Sequence, residues 1–133
     1  MKTKKLVVLL LASCLLLSIT TSALAATNYF HWGYVYGGTS QSLCTMSATR
    51  TDNTLLYISD IELNGDQEYI SFRPYKGTSK LTSPAVEIDT ADTYYLAYNN
   101  NITVSVGDAV RLVASIPTSA PLVFCRFYGY ATI

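Results

Sequence analysis

Residues 122–130 read LVFCRFYGY, and this stretch indicates most clearly how the chain folds. Along it, side chains without a charge or hydroxyl group alternate with Arg126, Tyr128 and Tyr130, and this period of two predicts a β-strand. We expect one face, with Cys125 and Phe127, to lie in a core. The opposite face, with Arg126, Tyr128 and Tyr130, is then left outside, because successive residues of a strand point to opposite sides.

The rest of the chain beyond residue 26 repeats this pattern at spacings near ten residues. Alternation and β-branched or aromatic content predict further strands at 28–36, 42–50, 54–63, 68–75, 85–89, 93–98, 102–106 and 109–116. No segment beyond the N-terminal stretch has the 3.6-residue apolar period of a helix. The sequence therefore predicts one all-β domain, an antiparallel β-sandwich of about eight or nine strands, with a closed β-barrel as the alternative.

Two strands carry predictions about their neighbours and faces. In 28–36 the bulkier side chains are expected in the core: Phe30, Trp32, Tyr34 and Tyr36. The dipeptide Asn64-Gly65 predicts a type I′ hairpin that joins 54–63 to 68–75, because both central residues of that turn need positive φ. Strict alternation within 54–63 groups Leu55, Tyr57, Ile61 and Leu63 on one face.

Residues 1–25 have the three parts of a cleavable signal peptide. A basic start is followed by an apolar run over 6–19 and by the small-x-small site Ala23-Leu24-Ala25. The run is short for a spanning helix, which needs about 20 apolar residues. We expect residues 26–133 to be secreted, without a stable membrane span. The alternative is a lipid anchor on Cys14, since residues 11–14 read LASC.

Cleavage changes the charge of the protein. The full chain has nine bases and nine acids, but three of the bases (Lys2, Lys4 and Lys5) precede residue 26. The mature chain thus has six bases and nine acids, a formal charge of −3. Because its sequence contains no run of Lys and Arg, this balance argues against nucleic acid and anionic membranes as partners.

Two cysteines, Cys44 and Cys125, lie in the mature chain. Exported proteins meet an oxidising compartment, so an even number of cysteines predicts a disulfide between them. Two unpaired, buried thiols are the alternative.

The candidates for catalysis and metal binding are few. His31 is the only histidine, so a Ser-His-acid triad must use it, and no Gly-x-Ser-x-Gly sequence accompanies it. Ser71 stands where a calcium loop starting at residue 60 needs glutamate, and neighbours on one strand lack the unlike environments of a glycosidase pair. We expect no catalytic residue, metal site or cofactor, and a solvated acidic cluster at Asp60, Glu62, Asp66 and Glu68.

Aromatic residues are the remaining signal. The chain has 11 tyrosines, four phenylalanines and one tryptophan, and strand packing accounts for most of them. The two faces of a terminal strand cannot both face one core, however. If the first and last strands are neighbours, their outward residues form a patch with the composition of a binding hot spot: Tyr29, His31, Arg126, Tyr128 and Tyr130.

Two short segments, Trp32-Gly33-Tyr34 and Ser47-Ala48-Thr49, resemble small secreted bacteriocins of the lactococcin 972 type. The resemblance covers six residues and implies no site residues. Export, small size and surplus aromatics together predict a non-enzymatic protein that binds an extracellular glycan or protein. A toxin or bacteriocin acting on cell envelopes and a small secreted hydrolase are the alternatives.

Overall fold

The described strands of this chain form two antiparallel sheets. The structure is a computed structural model that describes residues 27–36, 38–64, 67–116 and 124–133, with backbone alone for 27–36 and Phe124. The described strands are β1 Thr27–Tyr36, β2 Ser40–Ser47, β3 Asn53–Leu63, β4 Ile70–Lys76, β5 Ser79–Lys80, β6 Val86–Ile88, β7 Thr93–Ala97, β8 Ala109–Ser115 and β9 Phe124–Thr132. The signal-peptide prediction, Cys14 and the Gly65-Asp66 pair lie outside the described residues.

The first sheet has the strand order β1-β9-β3-β7. The second has the order β2-β8-β4-β5, and β6 also pairs with β4. Every described pairing is antiparallel, and neither sheet closes on itself within the described ranges. The all-β prediction is confirmed with a sandwich-like arrangement, and the alternative of a closed barrel is wrong.

Buried side chains from the two sheets meet in one core. On β8, Val110, Leu112 and Ala114 are buried while Arg111 between them is exposed, as a period of two requires. The rings of Phe72 on β4 and Phe127 on β9 meet edge to face across the core, 5.2 Å apart at 76°. Burial of such a side chain stabilises the fold by about 1.5–3 kcal/mol. This contact therefore joins the two sheets.

The predicted β3–β4 hairpin is wrong. Strand β3 pairs with β7 and β9, whereas β4 pairs with β5, β6 and β8, so the chain crosses between sheets after Asn64. Residues 102–106 are described and do not form the predicted strand. Its alternation comes from a loop in which Val104 reaches the core and the Asp108 amide donates to the Ser105 carbonyl.

The predicted disulfide is not formed. Cys44 on β2 and Cys125 on β9 are buried, free thiols that belong to different sheets. The Cys44 thiol hydrogen bonds to the backbone of Leu112 on β8, and the Cys125 thiol hydrogen bonds to the backbone of Asn64 just after β3. Burial raises the pKa of both thiols, and these backbone hydrogen bonds only partly oppose that effect. The alternative of two buried thiols is the arrangement that the structure has.

Among the described residues, no helix has the length and apolar character needed to cross a membrane.

Candidate functional site

The outer side of the first sheet carries the outward residues of the last strand. On β9, Cys125 and Phe127 are fully buried, while Arg126, Tyr128 and Tyr130 are half-buried. The direction of these five side chains therefore follows the alternation of the sequence. Since β9 lies inside the sheet, between β1 and β3, both of its neighbours add to this surface.

Strand β3 supplies the first neighbouring ring. Tyr57 is the register partner of Tyr130, and the two ring centroids lie 5.0 Å apart with their planes tilted by 31°. Aromatic pairs at this separation attract each other by about 0.5–1.5 kcal/mol beyond the area that they bury. The contact restricts the orientation of both rings.

Strand β7, at the edge of the sheet, supplies the most exposed ring. Tyr95 is 67% exposed, and its register partner on β3 is Leu55. The neighbouring Leu96 is completely buried, which fixes Tyr95 on the outer side. We call the outward rings of the first sheet the tyrosine face: Tyr57, Tyr95, Tyr128 and Tyr130.

A charged pair borders the tyrosine face. Glu62 on β3 and Arg126 on β9 are register partners, and their side chains form an ion pair through Glu62 Oε2. Both side chains remain 39–47% exposed, so the pair adds at most about 1 kcal/mol to stability. Its larger effect is to offer a carboxylate and a guanidinium in a fixed position beside the rings.

A bulge in β3 decides which residues reach this surface. The register between β3 and β9 shifts between Ile58 and Asp60, and Ser59 Oγ donates to the Tyr128 carbonyl at 3.1 Å. Because one extra residue reverses the alternation, Tyr57 lies outside while Ile61 packs against the core. The prediction that grouped Tyr57 with Ile61 on one face is therefore wrong.

The first strand lies where the predicted site requires it. Strand β1 pairs antiparallel with β9, which confirms that the two terminal strands are neighbours. Tyr29 is the register partner of Tyr130, and His31 falls within a register shift between Phe30 and Gly33. The side chains of Tyr29 and His31 lie outside the described residues. After the shift, Gly33 stands opposite Phe127. The predicted core side chains of this strand, Phe30, Trp32, Tyr34 and Tyr36, also lie outside the described residues.

Sequence reasoning missed Tyr57 and Tyr95 as members of this surface. The alternation within 93–98 puts Tyr95 and Leu96 on opposite faces of the strand, so the outward position of Tyr95 could have been predicted from the sequence. No comparable signal existed for Tyr57, because the bulge is not visible in the sequence. Pairing then decides the rest: strands that are remote in the chain bring these rings together.

The acidic cluster divides between the edge of the tyrosine face and the segment that precedes β4. Asp60 and Glu62 are exposed on β3, and Glu68 is exposed just before β4. Asp66 lies outside the described residues. Among the residues described, no group of three or more His, Cys, Asp or Glu side chains has an arrangement that could hold a metal ion.

No protein-family model matches this sequence, and the curated proteins compared with it include no match.

Proposed function

We propose that this protein is a secreted, non-enzymatic β-sandwich module that binds an extracellular glycan or protein through the tyrosine face. The observation that carries this proposal is the gathering of Tyr57, Tyr95, Tyr128 and Tyr130 on the outer side of one sheet. A tyrosine offers a large apolar body and a polar hydroxyl, which suits a ligand that is partly apolar and partly wet.

The rigidity of the surface supports binding. Each ring stands on a strand whose other side faces the core, so the backbone that carries it loses little conformational entropy when a ligand is bound. The Tyr57–Tyr130 contact restricts two of the rings further. The Glu62–Arg126 pair adds donors and an acceptor for the hydroxyl or amide groups of a ligand.

The test is a binding screen of residues 26–133 against immobilised extracellular glycans and cell-surface proteins, followed by variants. Tyr95→Ala combined with Tyr128→Ala should weaken binding by about tenfold or more, since truncation of a hot-spot aromatic costs about 2 kcal/mol. Val106→Ala is the matched control, because Val106 is 65% exposed, much like Tyr95, but lies in the turn before β8. It should change affinity by less than about twofold.

Three outcomes contradict the proposal. Equal binding by the double variant and the wild type removes the tyrosine face as the site. Hydrolysis of a bound glycan by the wild-type protein supports the hydrolase alternative. If the wild-type protein inhibits the growth of a competitor bacterium and the double variant inhibits it equally, the toxin alternative is supported and its activity does not depend on the tyrosine face.

A further inference from the structure

The outer side of the second sheet has a different chemistry from the tyrosine face. On strands β2, β8 and β4 the hydroxyl groups of this side come from Ser40, Ser42, Thr45, Ser47 and Ser115, whereas Ser71 of β4 is buried. The same three strands contain no aspartate or glutamate. They do contain two arginines, Arg73 on β4 and Arg111 on β8.

The two arginines are diagonal neighbours on this surface. Arg73 is the register partner of Val113, and Arg111 is the partner of Tyr75, two residues further along each strand. Diagonal positions of an antiparallel pair are about 7–8 Å apart. Lys80 on β5 is also a register partner of Tyr75 and adds a third base. We call Arg73, Tyr75, Lys80 and Arg111 the arginine face.

No described carboxylate neutralises the guanidinium group of Arg73 or that of Arg111. Arg111 lies over the Tyr75 ring, 5.4 Å from its centroid, a contact that orients the guanidinium without cancelling its charge. The ion pairs found in the described part of the chain are Lys76–Asp108 and Glu62–Arg126, so neither Arg73 nor Arg111 has a described carboxylate partner. The buried Nε of Arg73 has no hydrogen-bond partner among the described residues.

On the strand beside β4, one acidic residue is paired with the second sheet in the described part of the chain. Glu87 on β6 is the register partner of Ser71, but its carboxylate hydrogen bonds to the Tyr69 hydroxyl and raises the pKa of that tyrosine. The mature chain carries nine acids against six bases, yet three of the six bases converge here: Arg73, Lys80 and Arg111. The surface is therefore basic, although residues 26–133 as a whole carry more acids than bases.

We propose that the arginine face is a second binding site, which takes an acidic polysaccharide through carboxylate or sulfate groups on successive sugars. A guanidinium presents a planar fork of donors that matches a carboxylate or sulfate. The surrounding row of serine and threonine hydroxyls matches the hydroxyls of a sugar chain that lies along the sheet. The stacked Tyr75 ring gives one sugar an apolar contact.

The overall charge argues for a polysaccharide over a nucleic acid. Binding to the densely charged phosphate backbone depends on many neutralising Lys and Arg contacts. Three bases within residues 26–133, whose formal charge is −3, supply little of that attraction. A polymer with sparser anionic groups and many hydroxyls fits the spacing and the composition of this surface better.

The probes are polygalacturonate and dextran sulfate, with uncharged dextran, polyphosphate and duplex DNA for comparison, measured with residues 26–133. We expect binding to the two acidic polysaccharides at about 20 mM salt and its loss near 0.5 M, because salt screens exposed charges. Uncharged dextran should not bind. Equal binding to dextran, tighter binding to polyphosphate or DNA, or no binding to either acidic polysaccharide overturns the proposal.

Charge-matched variants locate the site. Arg73→Gln with Arg111→Gln should weaken binding by about tenfold or more, and the exposed Arg111→Gln alone should weaken it measurably without affecting the core. Arg50→Gln removes the same charge from the loop between β2 and β3, and should change affinity by less than about twofold. If Arg50→Gln weakens binding as much as the double variant does, net charge alone attracts the polymer. That result contradicts a specific site at the arginine face. Tyr95→Ala should leave this binding unchanged, so the two proposed surfaces are tested separately.

Discussion

Substitution of Gly129 by alanine should separate two central strands of the first sheet. Gly129 lies on β9, where its register partner on β3 is Ile58. A Cβ atom at this position would fall well inside van der Waals contact with the Tyr57 carbonyl oxygen, and 3.2 Å from the Ile58 Cα. All of these neighbours are backbone atoms of β3, which cannot rotate away as a side chain can.

The magnitude follows from how far β3 must move. Non-bonded carbon atoms are best separated by about 3.5–4.0 Å, so β3 has to retreat by roughly 1 Å around Tyr57. Interstrand hydrogen bonds of normal length do not survive such a shift. Overpacking costs about 1–3 kcal/mol and each backbone group left unpaired costs a similar amount, so we expect Gly129→Ala to lower the free energy of unfolding by about 4 kcal/mol.

Gly77→Ala is the control, because it adds the same methyl group where there is room. Gly77 has a φ of +61°, and no atom lies within 4 Å of the position that a Cβ would take there. Alanine at residue 77 therefore incurs only the strain of the left-handed region, about 1–2 kcal/mol. Urea unfolding followed by circular dichroism measures both variants. With a urea dependence near 2 kcal/mol per molar, Gly129→Ala should lower the midpoint by about 2 M, or prevent folding.

A loss for Gly129→Ala no larger than that for Gly77→Ala would refute this reasoning. It would mean that β3 and β9 are not in the close contact described around Tyr57. Because Tyr128 and Tyr130 flank Gly129 in the chain, the same result would also weaken the geometry assigned to the tyrosine face.

Two further predictions concern titratable groups. Hydrogen bonds from Lys76 Nζ and from the Ser105 amide lower the pKa of Asp108 below its ordinary value of 3.8, so Asp108 stabilises the fold above that pH and the contribution is lost as the pH falls through the lowered pKa. Asp108→Asn should therefore lower the urea midpoint by more at pH 7 than at pH 2.5, and a pH-independent difference would contradict the assignment. Because burial raises the pKa of Cys44 and Cys125 above 9.0, iodoacetamide at pH 8 should modify both thiols far more slowly in the native protein than in urea. Mass spectrometry of residues 26–133 without reductant should then find two adducts on the unfolded chain, whereas an unmodified chain would show a disulfide.

The sequence predicted most strands well because a strand's two faces see different surroundings within a few residues. In β8 and β9 the alternation continues without a break, so the buried set, including Leu112 and Phe127, could be read directly. Prediction from the sequence failed where the chain departs from a period of two. The bulge after Ile58 moves the later residues of β3 to the other face, and the register of β1 shifts between Phe30 and Gly33.

The candidate surfaces could be predicted only in part for the same reason. Arg126, Tyr128 and Tyr130 share one uninterrupted strand, so their common outer face followed from the sequence. Tyr57 joined them only through the bulge in β3 and the pairing of β3 with β9. Arg73 and Arg111 are 38 positions apart in the chain, and no local pattern indicates that they are diagonal neighbours in the sheet.

By itself, the sequence determined the all-β class, most strand positions and the facing of the regular strands, since these depend on local alternation. Only the tertiary structure decided which strands are partners, that β3 and β4 belong to different sheets, and that Cys44 and Cys125 remain free thiols. The physical reason is that strands pair through backbone groups, which are the same at nearly every residue. The choice of partner therefore depends on how all the buried faces pack together, and it is that choice which assembles the tyrosine face and the arginine face.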